Sequence, residues 1–217
     1  MKNDSLIRRV GIAVAVACLA IAPACHAYLF TVTIDTSGLL GDPAGPFTLD
    51  YQLIDGSGGP GDGNNTVSIN NFSYGGGGAP FGPVSTIGGA SGNLSSGLVS
   101  ITDTVFWNEF YQSFAAGSTL KFDLNLTTNS DAPSPTSDQF VFFVLDNALV
   151  PVQTTDLTVG RGAVLVVDIN SATPSIEQYE LVASMIPEPS TIMLFGLGGA
   201  VLLVGWLRRR VAVSLGY

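Results

Sequence analysis

Thr119–Thr127, the stretch Thr-Leu-Lys-Phe-Asp-Leu-Asn-Leu-Thr, decides the fold class. Leu120, Phe122, Leu124 and Leu126 take every second position, and Lys121, Asp123, Asn125 and Thr127 fill the gaps. Successive side chains of an extended strand point to opposite faces, so this pattern makes one apolar face and one wet one. The same alternation runs through Phe47, Leu49, Tyr51 and Leu53, with Thr48, Asp50 and Gln52 between them.

Working outward from these two stretches, strands are expected at Tyr28–Asp35, Thr66–Tyr74, Leu98–Trp107, Leu157–Val159, Ala163–Asn170 and Ile176–Ala183, with a short one near Val84–Ile87. Gln139–Asp146 is apolar on both faces, which predicts a central strand covered on each side. Within Val105–Phe114, Phe106, Phe110 and Phe114 recur at helical spacing, but the surrounding period of two favours strand or irregular structure. Glycine- and proline-rich connections separate the strands, at Asp55–Asn65 (expected to be a hairpin loop), Gly75–Gly92 and Asn129–Ser137. Eight or nine short strands between turn signals predict an all-β chain folded as a β-sandwich of the jelly-roll kind. No exact internal repeat is visible, which disfavours a solenoid.

The two ends are of another character. Lys2, Arg8 and Arg9 precede the apolar run Val10–Ala22, and Pro23 then breaks any helix before Cys25-His26-Ala27. A charged start, a short apolar core and small residues at −3 and −1 make a secretory signal peptide over residues 1–27, with cleavage between Ala27 and Tyr28. At the other end Pro187-Glu188-Pro189-Ser190-Thr191 is followed by the apolar run Ile192–Leu207 and by Arg208-Arg209-Arg210. The prolines hold Glu188 in a stiff, extended peptide that an enzyme can read. The run, extended to 190–207, is close to the about 17–25 residues that cross a hydrocarbon core, and the arginines halt transfer on the cytoplasmic side.

This order of a Pro-Glu-Pro triplet, a short apolar helix and a basic cluster resembles the PEP-CTERM sorting signal of Gram-negative bacteria. The resemblance covers Pro187 to about Arg210. It implies that an exosortase-type processing enzyme recognises Pro187, Glu188 and Pro189 while Arg208, Arg209 and Arg210 stop the tail in the membrane. It also implies an exported protein that is transiently tethered and ends at the cell surface or in the extracellular matrix, where exopolysaccharide is a partner to expect. The alternative reading of the same residues is a permanent single-pass anchor. The expected organisation is a signal peptide (1–27), an exported β-sandwich (28–184), a sorting signal (185–210) with a transmembrane helix over 190–207, and a tail (211–217). The secretion translocon is then an obligate partner.

Charge and residue usage narrow the activity. Of seventeen acids in the chain only Asp4 and Glu188 fall outside Tyr28–Ile186, where the cations are Lys121 and Arg161 alone, giving that segment a net charge of −13. Such a surface repels phosphate backbones, so nucleic acid is excluded as a partner. Cys18, Cys25 and His26 all lie in the leader. The mature domain therefore has no thiol or imidazole for a disulfide, a nucleophile, a histidine base or an N/S zinc site. Neither a nucleophile elbow nor a phosphate- or dinucleotide-binding motif is present. A non-catalytic domain is expected.

Two stretches are candidate sites. Asp55, Asp62 and Asn64 lie in a glycine-rich loop and offer the hard oxygen ligands that Ca²⁺ takes, although the spacing fits neither an EF-hand nor the calcium-binding nonapeptide. A solvated loop would look the same. Trp107 and Tyr111 belong to a group of aromatics that could stack on sugar rings or fill the core. A hydrolase would need two acids held apart in a cleft, drawn from Asp103, Glu109, Asp123, Glu177 and Glu180, and no pair stands out. Asn64, Asn71, Asn93 and Asn125 open Asn-x-Ser/Thr triplets. The expectation is a structural or adhesive component of the polysaccharide matrix, with a carbohydrate- or Ca²⁺-binding module as the rival and a glycoside hydrolase as a distant third.

Overall fold

The structure is a computed structural model that describes residues 27–57, 59–129, 136–158, 162–169 and 173–182. The expected signal peptide up to residue 26, the sorting residues Pro187–Pro189 and Arg208–Arg210, and the expected helix over 190–207 lie outside them. No helix among the described residues is long and apolar enough to cross a membrane.

Eleven strands are described: β1 (Ala27–Asp35), β2 (Phe47–Ile54), β3 (Thr66–Ser73), β4 (Ala79–Ile87), β5 (Gly89–Asn93), β6 (Leu98–Thr102), β7 (Trp107–Ala115), β8 (Thr119–Thr127), β9 (Asp138–Leu145), β10 (Leu165–Ile169) and β11 (Ser175–Gln178). They form a five-stranded sheet ordered β1-β8-β3-β6-β5 and a six-stranded sheet ordered β11-β10-β9-β2-β7-β4. Every pairing is antiparallel. β1 pairs with β8, β2 with β7 and β3 with β6, so early and late strands nest while alternating between the sheets. The chain is thus all-β with two antiparallel sheets, as the alternation predicts.

β8 shows how the sequence builds the core. Its four apolar residues are almost wholly buried and the intervening positions are wetter. Burying each such side chain is worth about 1.5–3 kcal/mol, so this strand alone fixes its register against a one-residue slip. Across the sandwich the inward faces of β2, β7 and β9 supply Leu49, Tyr51, Leu53, Phe110, Phe114, Phe140 and Phe142, which join the residues of β8 in one core. β9 is central in its sheet, between β10 and β2, and its second face is covered too: Val141 packs with Ala163 and Val166 in a smaller cluster flanked by Ile54, Phe143 and Tyr179.

Several expectations are corrected. Leu98–Trp107 is two strands, because Asp103 turns inward and the chain bends over residues 103–106 before β7 begins. Of the strand expected at Leu157–Val159, Leu157 and Thr158 are not extended in a sheet: Leu157 is exposed, the nearest pairing is the bridge between Thr154 and Leu181, and Val159 lies outside the described residues. The connection expected over Gly75–Gly92 holds most of β5 and all of β4, of which only the short strand near Val84–Ile87 was expected. β4 is an edge strand, where the missing N–H of Pro80 and Pro83 breaks no inner ladder. In β5 a Cβ on Gly89 would collide with the carbonyl oxygen of Thr102, so the close pairing with β6 needs glycine there. Finally, Asp55–Asn65 is no hairpin loop, since it carries the chain from β2 in one sheet to β3 in the other.

Candidate functional site

The outer face of the six-stranded sheet carries a groove of about 390 Å³ lined by side chains of β2, β7 and β9 and by Leu149 and Pro151 from the following loop. Its floor follows from strand register. On β7, Phe110 and Phe114 turn into the core, which sends Trp107, Glu109 and Tyr111 outward. On β2, Tyr51 turns inward and sends Asp50 and Gln52 outward. Asp50 lies between Tyr111 on one side and Phe143 on the other, and Gln52 lies opposite Glu109. The two carboxyls thus occupy diagonal corners of a square completed by Gln52 and Tyr111.

Gln52 ties the acids together. Its Nε2 donates to Asp50 Oδ2 at 2.8 Å and to Glu109 Oε1 at 3.2 Å. Asp50 is only 3% exposed. Burial above all, and then the Glu109 charge, pushes its carboxyl up to about 7. Burial also raises Glu109, against the pull of hydrogen bonds from Asp50 and Gln52. Their mutual side-chain hydrogen bond raises Asp50 and lowers Glu109, so a proton held by the pair sits on Asp50. With both acids ionised, Asp50 Oδ1 is a buried acceptor without a donor among the described residues.

The rim is aromatic and apolar. Trp107 is 45% exposed and Tyr111 is half-buried, and both line the groove with Phe143, Leu145, Leu149 and Pro151. Leu149 adopts φ +60°, a left-handed conformation that strains a leucine. The turn holding it is pinned by Asp146, whose Oδ1 accepts the amides of Ala148 and Val150 at 2.8 and 2.9 Å. The aromatic group named from sequence thus divides: Phe110 and Phe114 belong to the core, Trp107 and Tyr111 to the groove, and Phe106 is exposed outside it.

A second cluster gathers at one end of the sandwich. Asp55, Asp62 and Asp103 each bring a carboxylate oxygen within 4.8 Å of the others. Asp55 and Asp62 were expected together; Asp103 joins them from the end of β6, while Asn64 instead donates Nδ2 to Asp62 Oδ2 at 2.8 Å. The buried Asn65 organises this end. Its backbone N–H donates to Asp103, its Nδ2 donates to Asp138 Oδ2 at 2.6 Å, and its Oδ1 accepts the amide of Asn129 at 2.8 Å. Burial first, then the hydrogen bond with Asp138 and the charges of Asp138 and Asp62, push Asp103 up to about 7. An all-oxygen set of this kind suits a hard cation such as Ca²⁺.

Sequence reasoning missed Asp50 and Gln52 as site residues, and it named Asp103 only among the acids for hydrolysis, not as a cation ligand. Asp50 and Gln52 look like the wet side of an alternating strand, and their partners sit more than fifty residues away on β7. The remaining acids considered for hydrolysis stay apart: Asp123 is on β8 of the opposite sheet, Glu177 on the exposed edge strand β11, and Glu180 just beyond it.

Residues 186–210 match the PEP-CTERM protein-sorting motif, which takes in Pro187–Pro189 and Arg208–Arg210. That motif marks an exported protein processed by an exosortase in association with the membrane. No curated protein and no solved structure matches the chain.

Proposed function

We propose that the sandwich is a non-catalytic, glycan-binding component of an extracellular polysaccharide matrix, delivered to the surface of a Gram-negative cell by its sorting signal. The leader threads the chain through the inner membrane, the acidic domain folds outside, and processing near Pro187-Glu188-Pro189 frees it from its tether. A jelly-roll sandwich then presents the groove as its adhesive surface.

The observation that carries this reading is the meeting of Trp107 and Tyr111 with Asp50, Gln52 and Glu109 in one groove. Aromatic faces stack on the C–H faces of sugar rings, and carboxyl and amide groups take up the hydroxyls around the ring edge. The groove's volume falls within the about 300–1,000 Å³ usual for ligand pockets. The acid pair argues against hydrolysis: a side-chain hydrogen bond joins Asp50 directly to Glu109, whereas glycosidase carboxyls stand about 5–10 Å apart to admit a sugar bond between them.

Binding of the full-length chain to an array of bacterial polysaccharides tests the reading. The expected result is retention that Trp107→Ala reduces at least tenfold with an unchanged melting temperature. Retention indifferent to Trp107→Ala and Tyr111→Ala, or none on any glycan, overturns it.

A second reading, Ca²⁺ held by Asp55, Asp62 and Asp103, rests on the convergence of their oxygens. Melting with Ca²⁺ and with a chelator tests it; equal melting temperatures at neutral pH would dismiss it.

A further inference from the structure

Resting on the glycan-binding reading above, we infer that the groove selects sugars bearing a free, protonated amine, as in polymers of de-N-acetylated hexosamine, over neutral, N-acetylated or uronic-acid chains. The groove sets two carboxyls side by side and no lysine or arginine lines it. Lys121, the one basic side chain among the described residues, sits on β8 in the other sheet. A uronate entering this groove would meet like charge with no cation to receive it.

The hydrogen-bond inventory says what the ligand must bring. Gln52 has committed its Nε2 to both acids, and Asp50 Oδ1 accepts from no donor among the described residues. A sugar hydroxyl can donate one hydrogen bond there, but it brings no positive charge to offset the carboxylates. An ammonium brings three donors together with the compensating charge, and charge-assisted hydrogen bonds are roughly twice as strong as neutral ones. Release of the proton that the pair holds alone makes room for it.

The walls suit the same group. Tyr111 and Phe143 flank Asp50 in register on either side, and Trp107 stands beyond Glu109 on β7. A cation within about 6 Å of an aromatic face is attracted by the ring's quadrupole, and more strongly where water is displaced. Placed over Asp50, an ammonium has an aromatic residue on either side and carboxylates beneath, while the sugar ring it belongs to extends towards Trp107.

The test is calorimetric titration of the full-length chain in detergent with four tetrasaccharides: β-1,4-linked glucosamine, its N-acetylated form, cellotetraose and a tetragalacturonate. The glucosamine tetramer is expected to bind at least tenfold more tightly than the others at 150 mM salt. Glu109→Gln and Asp50→Asn should each remove that preference, while Asp123→Asn, on the opposite sheet, leaves it intact. Equal affinity for the amino, N-acetylated and neutral tetramers, lost on Trp107→Ala, would overturn the amine inference and keep the glycan reading. An equal loss with Asp123→Asn would reduce the effect to diffuse attraction by an acidic protein and also overturn it. No binding by any tetramer would remove both.

Discussion

Tyr51 on β2 stacks face to face on Phe142 of the neighbouring β9, with ring centroids 4.7 Å apart and planes inclined by 16°. Phe122 from the opposite sheet meets both rings edge-on, at 5.7 and 5.5 Å. This triad joins the two sheets at the middle of the core. The hydroxyl of Tyr51 is nevertheless buried with no hydrogen-bond partner among the described residues, and burial drives its pKa well up. Tyr51→Phe should therefore stabilise the protein by about 1 kcal/mol, since it removes a desolvated polar group and keeps the ring. Tyr51→Ala should cost about 3–5 kcal/mol. Urea denaturation of both variants decides; a loss with Tyr51→Phe would mean that the hydroxyl has a partner.

Asn108 is the polar counterpart of that triad. Its Oδ1 accepts the amide of Gly89 at 2.9 Å, and its Nδ2 donates to the carbonyls of Val105 at 2.6 Å and Leu53 at 3.2 Å. One side chain thus ties β7 to β2 and to the start of β5. Asn108→Ala leaves those backbone groups without a partner in a buried place, and it should cost about 3 kcal/mol by urea denaturation.

Stability should fall as the solution is made more alkaline through neutrality. Asp50 and Asp103 have folded pKa values raised to about 7 from 3.8. A raised carboxyl means that the folded state binds the proton more tightly, so the benefit is complete below 3.8 and is lost as pH climbs to about 7. The facing ionisable groups are Glu109 and Tyr111 for Asp50, and Asp55, Asp62 and Asp138 for Asp103. Asp35, which is exposed, and Asp123, which is half-buried, have lowered values and act only at stronger acid. In chelator, the melting temperature at pH 5.5 should exceed that at pH 8. Asp103→Asn should raise it at pH 8 and flatten the dependence.

The wall of the groove can be relaxed on its own. Leu149→Gly relieves the φ of +60° and should leave stability level or raise it by about 0.5–1 kcal/mol. The same change removes an apolar side chain from the groove, so glycan affinity should drop. The opposite signs, read by melting and by titration, separate a binding role from a structural one.

How legible the fold and the groove were depends on where the determining interactions lie along the chain. β8 could be read directly because burial alternates residue by residue, and β9 because both its faces are covered. Of β4 only the end near Val84–Ile87 could be read, and β5 could not be, since their glycines and prolines signal turns, and only an edge position and a close backbone approach make them strands. For the groove, Trp107 and Tyr111 were visible as a pair on one strand. Their division from Phe110 and Phe114 needs the strand's orientation, which the competing helical spacing obscured. Asp50 and Glu109 meet only because β2 pairs with β7, and Asp103 reaches Asn65 only through the pairing of β3 with β6. Such pairings join residues too distant in sequence for any local pattern to announce them.

The last bridge of the sandwich, between Thr154 and Leu181, precedes residue 186, where the match to the sorting motif begins. The paired strands and the sorting motif therefore occupy consecutive stretches of sequence that do not overlap, so the residues that build the sandwich are not the ones that address it.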